Sequence, residues 1–391
     1  MRRLMKLFLF MLYLFATTSF LFFSIFELFP GLLDFINLQR VPYYYVKREF
    51  KEDPSLIFVP RSEKRVVEIK EFRGEKYSSA FGVNVPPIEY RATYDRNGFR
   101  KGSSIPPIDI LILGDSFMDV GESDNSTFAE ILKQTSGLST LNLGRESYGP
   151  QHYLEVLKRY GLTTKAKYVL FCFFDGNDID NIAEYIKWQR GDGYYHFVFS
   201  DKNVLEKYMI VVNEVSSLLW TWLKEYFSNV PRIHPKLALI QLNARIVSMT
   251  FAYWNRDVTA DVLLRTEEWK TLVNVLTEFQ ALAIKNDMKP IVLFIPTKVE
   301  VYGSLVSDRS GEQVLRQINK QLQFETNSLE ALQTVAKDVR IELVDLLPYF
   351  KKLAKEGKEL YYPFDTHWNI TGREAAAEFL TAVITTGEVK E

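Results

Sequence analysis

The sequence has few of the residues that cross-link small secreted domains or bind metal ions. Only one of its 391 residues is a cysteine, Cys172, so no disulfide can form within the chain. Cys172 lies in an apolar run from Tyr168 to Phe174, which favours a small buried side chain over a nucleophile. No pair of histidines has the spacing of a helical zinc motif. We therefore expect no metal centre and no cofactor. The histidines are His152, His196, His234 and His367.

An excess of charge of either sign is also absent. Lys and Arg together number 48 and Asp and Glu 49, which gives a net charge of −1. Proteins that bind nucleic acid without base contacts rely on a surplus of positive charge, so no nucleic-acid partner is expected. The sequence shows no internal repeat and no low-complexity tract.

One apolar stretch is long enough to cross a bilayer as a helix, and no second one is. It runs from Leu7 to Phe26 without a charge and follows Arg2, Arg3 and Lys6. The positive charges predict a cytoplasmic N-terminus (1–6), a single-pass anchor (7–29) and an extracytoplasmic remainder, periplasmic or extracellular. A cleavable signal peptide is the alternative. Its apolar region would be shorter and end in small residues, whereas this one stays largely apolar.

Residues 30–107 have a mixed composition that predicts a tether followed by a strand-rich collar. The segment is charged and aromatic and contains several prolines. Tyr90 to Tyr94 alternate as a strand does, and Asn97-Gly98 is a strong turn signal. No residue of this segment suggests chemistry.

From residue 108 onward, apolar runs alternate with helical patterns, which indicates βαβ units and a parallel sheet. We predict one α/β domain over residues 108–388. The predicted strands are Ile110–Leu113, Ser139–Leu143, Tyr168–Phe174, Pro290–Ile295 and Val339–Val344.

Between residues 183 and 264 this alternation breaks, and an insertion is predicted. Val204–Phe227 and Leu237–Trp254 are apolar but contain polar residues, which favours amphipathic helices over membrane spans. A cap over the site and a surface lying against a membrane are both compatible with this pattern.

The first predicted strand ends in Gly114-Asp115-Ser116, and Asp365 and His367 lie in a loop after the last predicted strand. Open α/β sheets bind ligands outside the carboxyl ends of their strands. A serine nucleophile needs a positioned base, and that base needs a carboxylate to orient it. Asp365 and His367, two positions apart, share one face of an extended segment. The competing interpretation of Gly-Asp-Ser is a simple turn capped by Asp115 or Ser116.

Four blocks in order resemble those of the SGNH hydrolases, also called GDSL esterases. They are Gly114-Asp-Ser-Phe117, Leu141-Asn-Leu-Gly-Arg-Glu-Ser-Tyr-Gly149, Asp175-Gly-Asn-Asp178 and Asp365-Thr-His-Trp-Asn369. One residue rather than two separates the acid from the histidine. This spacing, together with Pro296-Thr-Lys-Val-Glu-Val-Tyr302, resembles the membrane-anchored subgroup that includes alginate O-acetyltransferase-like proteins.

The resemblance implies a three-layer α/β/α fold with a mostly parallel, flavodoxin-like five-stranded sheet. It implies that Ser116 is the nucleophile, His367 the general base and Asp365 its orienting partner. It also implies an oxyanion hole made by the backbone N–H groups of Ser116 and Gly144 and the side-chain amide of Asn177. Taken alone, Asn177 would be interpreted as a turn residue.

The resulting hypothesis is a membrane-anchored, extracytoplasmic serine esterase or O-acyltransferase of a bacterial envelope. It would form an acyl-enzyme and act on O-acetyl groups of cell-envelope or exported glycans. Its expected partners are an acylated carbohydrate or small ester, the membrane, and envelope polysaccharide-modification proteins. The alternatives are a catalytically idle scaffold in a polysaccharide assembly complex and a lipid or thioester hydrolase.

Overall fold

A computed structural model describes most of the chain, with gaps. The described residues are 2–28, 46, 50–60, 65–69, 90–103, 105–199, 207–217, 237–251 and 258–386. Much of the predicted tether and part of the predicted insertion lie outside them. The chain divides into two compact units, Met1–Arg61 with Lys187–Asn229, and Ser62–Ile186 with Val230–Glu391.

The first unit is built on a long N-terminal helix and a short hairpin. The hairpin pairs β1 (Phe50–Asp53) with β2 (Ile57–Pro60) in antiparallel register. The helices are Arg2–Leu28, Gly193–Phe199 and 207–217. Their shared core is apolar and aromatic, and its buried members are Phe23, Val46, Val198 and Val211.

The helix predicted over the N-terminal apolar stretch is present and extends over Arg2–Leu28. Within the residues that the structure describes, no helix is both long enough and apolar enough to cross a membrane. The structure therefore gives no support to an anchor over residues 7–29, which stays a prediction from the sequence.

In the described part of the second unit, five strands form a parallel sheet. The strands are β5 (Ile110–Leu113), β6 (Thr140–Asn142), β7 (Tyr168–Phe174), β10 (Lys289–Ile295) and β11 (Glu342–Asp345). Their order in the sheet is β11-β10-β7-β5-β6. The apolar runs of β5, β7 and β10 are buried because helices cover both faces of such a sheet. The predicted five-stranded α/β fold is confirmed.

The strand order fixes where the helices lie. The chain steps from β5 to β6 in one direction and from β7 through β10 to β11 in the other. Because parallel crossovers are right-handed, this reversal places helices on both faces. The helices are Ser116–Asp119, Phe128–Ser136, Pro150–Val156, Asp178–Gln189, Ala260–Leu263, Glu267–Lys285, Lys298–Tyr302, Glu312–Leu322, Asn327–Val339, Leu347–Lys355 and Ile370–Thr386.

The predicted collar strand is present as β4 (Tyr90–Tyr94), which pairs antiparallel with β3 (Arg65–Ile69). The turn at Asn97-Gly98 is also present, with Gly98 at a φ of 81°. Arg100 is buried just after this turn and donates to the carboxylate of Asp124 at 2.9 Å and to the carbonyl oxygen of Asp119 at 2.9 Å. The collar is thereby fastened to the segment that follows β5.

The prediction of two amphipathic helices in the insertion is wrong for the second one. Residues predicted as the helix Leu237–Trp254 instead form an antiparallel hairpin of β8 (Leu237–Leu242) and β9 (Arg245–Thr250) within the second unit. The chain reverses at Asn243, whose φ of 52° is a left-handed conformation that asparagine tolerates. The first predicted helix is described only over 207–217.

Candidate active site

Ser116 lies directly beyond the carboxyl end of β5, at the first residue of the short helix Ser116–Asp119. Asp115 caps this helix and accepts the backbone N–H of Phe117 at 2.9 Å. The first N–H groups of a helix have no acceptor within the helix. Since β5 neighbours both β6 and β7 at the point where the strand order reverses, Ser116 lies where open α/β sheets bind ligands.

His367 lies between Ser116 and Asp365. Its Nε2 is 2.7 Å from the Oγ of Ser116, and its Nδ1 contacts the carboxylate of Asp365. The same carboxylate accepts the backbone N–H of His367 at 2.9 Å. The side chains of His367 and Asp365 are only 6% and 8% exposed. The structure thus brings together the three residues that the sequence indicated, although 251 positions separate Ser116 from His367.

Aromatic side chains pack against His367 and support this arrangement. The ring of Phe117 packs against His367, with centroids 5.0 Å apart, and against Phe174, with centroids 4.1 Å apart. Trp368 is fully buried, and its indole N–H donates to the carbonyl oxygen of Phe117 at 3.1 Å. No role was predicted for Trp368 from the sequence, although its position directly after His367 was a signal.

An ion pair between a buried arginine and a half-buried glutamate links the final helix to the segment after Ser116. Arg373 is completely buried, and its guanidinium contacts the carboxylate of Glu122. The hydroxyl of Tyr362 contacts the same carboxylate. Although burial opposes it, Arg373 lowers the pKa of Glu122. Glu122 is therefore in contact with both the final helix, through Arg373, and the loop that carries Asp365 and His367, through Tyr362.

Gly144 follows β6, as predicted, and leaves no room for a side chain. A Cβ at this position would lie 2.2 Å from the Cβ of Met118. The backbone N–H of Gly144 donates to Oδ1 of Asn142 at 2.9 Å, so it already has an acceptor. Its role in an oxyanion hole stays a prediction. In the same loop, Ser147 has a φ of 68°, a conformation that is unusual for a residue other than glycine.

Asn177 lies in the turn that follows β7, and its carbonyl oxygen accepts the N–H of Asn181 at 2.8 Å. The turn is held by Asp178, which accepts the N–H of Phe174 at 3.0 Å and the hydroxyl of Tyr153 at 2.8 Å. Asp178 is fully buried, whereas Asn177 is partly exposed. The predicted oxyanion donor therefore stands on a rigid turn that borders the same sheet edge as Ser116.

Asp115 is a carboxyl group with no access to solvent. Burial raises its pKa to about 6, against the opposing effects of the Phe117 N–H, the nearby His367 and the side chain of Asn177. The capping hydrogen bond to Phe117 uses only one of its oxygens. Asp115 therefore supports the turn before Ser116, and it does so at an electrostatic cost.

Lys298 is a buried lysine at the start of the helix Lys298–Tyr302, after β10. Its Nζ donates to the carbonyl oxygens of Tyr362 at 2.7 Å, Pro363 at 3.0 Å and Thr250 at 3.0 Å. Burial lowers its pKa to about 7, while the charge of Asp365 opposes that shift. The lysine belongs to the Pro296-Thr-Lys motif, but no role was predicted for it from the sequence.

Glu300, like Asp115, is a buried acid, and it lies on the same short helix as Lys298. Its carboxylate closes the capping box with Thr297, whose Oγ1 is 2.7 Å away. Burial and the neighbouring carboxyl of Asp175 raise the pKa of Glu300 well above its usual value. Since Asp175 begins the turn of Asn177, Glu300 lies close to that turn.

The arrangement is competent for proton transfer from a serine to a histidine. The Nε2 of His367 is within hydrogen-bond reach of the Ser116 oxygen, as a general base must be.

In the part of the chain that the structure describes, no group of three or more His, Cys, Asp or Glu side chains is arranged to hold a metal ion.

Comparison with known families supports the resemblance inferred from the four blocks. Residues 259–391 match the model of the SGNH hydrolase-like domain of the acetyltransferase AlgX. This region includes Lys298, Asp365 and His367 but begins after Ser116 in the sequence. No curated protein sequence matches the chain.

Solved structures similar to the chain share little sequence with it. They include LAE5, an alpha/beta hydrolase from the metagenome of Lake Arreo, with 14% identity, 74% of this chain and 98% of that chain covered, and a TM-score of 0.35. A GDSL-like lipase from Bacteroides thetaiotaomicron has 10% identity, 72% and 90% coverage and a TM-score of 0.34. A catalytic mutant of Axe2, an acetylxylan esterase from Geobacillus stearothermophilus, has 10% identity, 72% and 94% coverage and a TM-score of 0.34.

Proposed function

We propose that this chain, whose C-terminal third resembles the SGNH hydrolase-like domain of AlgX, is a serine esterase or O-acyltransferase that transfers acyl groups through Ser116. The observation that carries the proposal is the chain of contacts from Ser116 through His367 to Asp365, with 2.7 Å between Oγ and Nε2. A serine hydroxyl becomes nucleophilic when an oriented imidazole takes its proton.

The proposed reaction is a double displacement. The Oγ of Ser116 attacks the acyl carbonyl carbon while Nε2 of His367 takes the hydroxyl proton. The tetrahedral intermediate then collapses, the ester bond to the leaving alcohol breaks, and His367 gives its proton to the alkoxide. Water or a sugar hydroxyl then attacks the carbonyl carbon of the acyl-serine and loses its proton to His367. The bond from this carbon to the Ser116 Oγ breaks, which releases the acid or the acylated sugar, and the proton returns from His367 to Ser116.

The negative oxygen of the intermediate would be stabilised by the Ser116 N–H, the Asn177 side-chain amide and the Gly144 N–H. Fixed dipoles of this kind stabilise developing charge without changing their own protonation state. For Gly144 this role would require that its N–H exchange the acceptor Asn142 for the substrate oxygen.

We propose O-acetyl groups of envelope or exported glycans as the substrate. The match of residues 259–391 to the acetyltransferase domain supports acetyl transfer, and the subgroup motifs at Lys298 and Asp365 agree with it. An extracytoplasmic location, an N-terminal membrane anchor and polysaccharide-modification partners complete the proposal. These depend on the charge asymmetry of the N-terminus and on the same family match.

The first experiment is intact-mass analysis after treatment with a fluorophosphonate, which phosphonylates activated serines. One adduct that maps to Ser116 and is lost in His367→Ala is the expected result. His196→Ala is the matched control and should keep the adduct. A folded protein without an adduct would favour the idle scaffold.

A second experiment separates the substrate classes. The rate of hydrolysis of 4-nitrophenyl esters is measured against acyl chain length, and acetyl transfer to oligosaccharides is measured in parallel. Acetyl-specific turnover agrees with the glycan substrate. A preference for long chains would instead indicate a lipid hydrolase.

A further inference from the structure

Lys298 has all three of its N–H donors engaged by backbone carbonyl groups. Two acceptors, Tyr362 and Pro363, belong to the loop that carries Asp365 and His367. The third, Thr250, is the last residue of β9. An ammonium group has three donors and no acceptor, so its hydrogen-bonding capacity is filled by these three carbonyls.

The acceptors belong to two separate segments. Thr250 is in the hairpin β8–β9, whereas Tyr362 and Pro363 are adjacent residues of the loop that carries Asp365 and His367. Thr250 also donates its backbone N–H to the carbonyl oxygen of Pro363 at 2.9 Å. At the other end of the hairpin, Arg245 pairs with Glu359 at 2.7 Å. Both ends of the hairpin are thus joined to the loop that carries Asp365 and His367, which we call the acid–base loop. Lys298 lies at the end nearer to Asp365.

The use of a lysine to connect these segments has a cost in free energy. Burial of an ammonium group costs free energy, and the first residue of a helix is an unfavourable place for positive charge. Only the carboxylate of Asp365 opposes the fall in the pKa of Lys298 to about 7. An apolar side chain would avoid these costs, although the carbonyl groups of Tyr362, Pro363 and Thr250 would each lose a donor.

We propose that Lys298 is a positioning residue for the acid–base pair: by gathering the carbonyls of Tyr362, Pro363 and Thr250, it sets where Asp365 holds His367 against Ser116. The inference rests on the proposed function. It also makes the hairpin β8–β9 part of the active-site support, because a shift of Thr250 would be transmitted to Pro363.

The consequence is a change in turnover rather than in substrate binding. If the loop shifts, the imidazole leaves the line between Asp365 and Ser116. A misplacement of about 1 Å in reacting groups costs about 100-fold in rate. Lys298 is not in contact with Ser116 among the described hydrogen bonds, so the affinity for the ester should be unaffected.

The test compares Lys298→Met with Lys158→Met in the full chain. Lys158 is a partly buried lysine that pairs with Glu155 and Glu278, away from the acid–base loop. With a 4-nitrophenyl acetate substrate, Lys298→Met should lower kcat about 100-fold with KM unchanged, whereas Lys158→Met should leave both unchanged. If Lys298→Met fails to fold, Lys298→Gln, which retains two N–H donors, replaces it.

A second readout does not need activity. The proton shared by Nδ1 of His367 and Asp365 should give a low-field proton NMR resonance, assigned by its loss in Asp365→Ala. It should shift or vanish in Lys298→Met and stay in Lys158→Met. An unchanged resonance, or a loss of affinity instead of kcat, would overturn the role of Lys298. Absence of a fluorophosphonate adduct in the unmodified chain would refute the proposed function alone, since the resonance would still test Lys298.

Discussion

Trp368 and Phe117 are joined by a hydrogen bond from the indole N–H to the backbone carbonyl oxygen, 3.1 Å long. The two residues directly follow His367 and Ser116 in sequence. A single bond therefore links the neighbour of the proposed base to the neighbour of the proposed nucleophile. Because Trp368 has no exposed surface, the link is shielded from competing water.

Replacing Trp368 by Phe should destabilise the protein by leaving the Phe117 carbonyl without a donor, which costs about 1–3 kcal/mol. Trp269→Phe is the matched control, since Trp269 is equally buried and its indole N–H has no acceptor among the described residues. The free energy of unfolding in urea measures both. Equal losses would mean that the hydrogen bond contributes nothing.

Asp365→Asn should leave binding intact and lower kcat by about 10⁴-fold. The amide cannot hold the imidazole in the tautomer that accepts the serine proton, which is the loss seen when a triad carboxylate is replaced by its amide. Steady-state kinetics on an acetyl ester check this, with Asp261→Asn, an exposed residue, as the control. A kcat within tenfold of the unmodified enzyme would remove Asp365 from the mechanism.

Asn177→Ala should cost about 2.7–4 kcal/mol of transition-state stabilisation, as the loss of one oxyanion donor does. The measured quantity is kcat on an acetyl ester. Asn286→Ala is the control. Asn286 follows the helix Glu267–Lys285, and its side-chain amide donates to the carbonyl oxygen of Leu282 in that helix. An unaltered kcat in Asn177→Ala would exclude the amide from the oxyanion hole.

Asp115→Asn should make stability less dependent on pH. The pKa of Asp115 is about 6 in the folded protein and near its usual 3.8 when unfolded, so the folded state binds more protons between these values. Its contribution to stability is greatest below about pH 4 and falls by about 3 kcal/mol as the pH rises through about 6.

The asparagine keeps the oxygen that accepts the Phe117 N–H and removes the charge. The difference in unfolding free energy between Asp115→Asn and the unmodified protein should therefore shift in favour of the variant from pH 4 to pH 7. A difference that stays constant over this range would show that Asp115 titrates normally.

The local pattern was enough to predict the sheet, because its strands are short apolar runs bounded by glycine and polar residues. Tyr168–Phe174 was predicted to the residue. The hairpin β8–β9 was missed. Leu237–Leu242 alternates only partly between buried and exposed positions, and periodicity alone does not distinguish such a run from a buried helix.

The identity of the proposed site residues was likewise accessible from sequence, since each follows a strand and four blocks occur in order. Residue types and their order along the chain determined that Ser116, Asn177 and His367 meet at one edge of a sheet. Only the tertiary structure decided what holds them there. The hydrogen bonds from Lys298 to its acceptors and the indole bond from Trp368 to Phe117 join backbone carbonyl groups to side chains that are distant in sequence. A backbone carbonyl or N–H is the same in every residue, so its partner leaves no mark in the sequence.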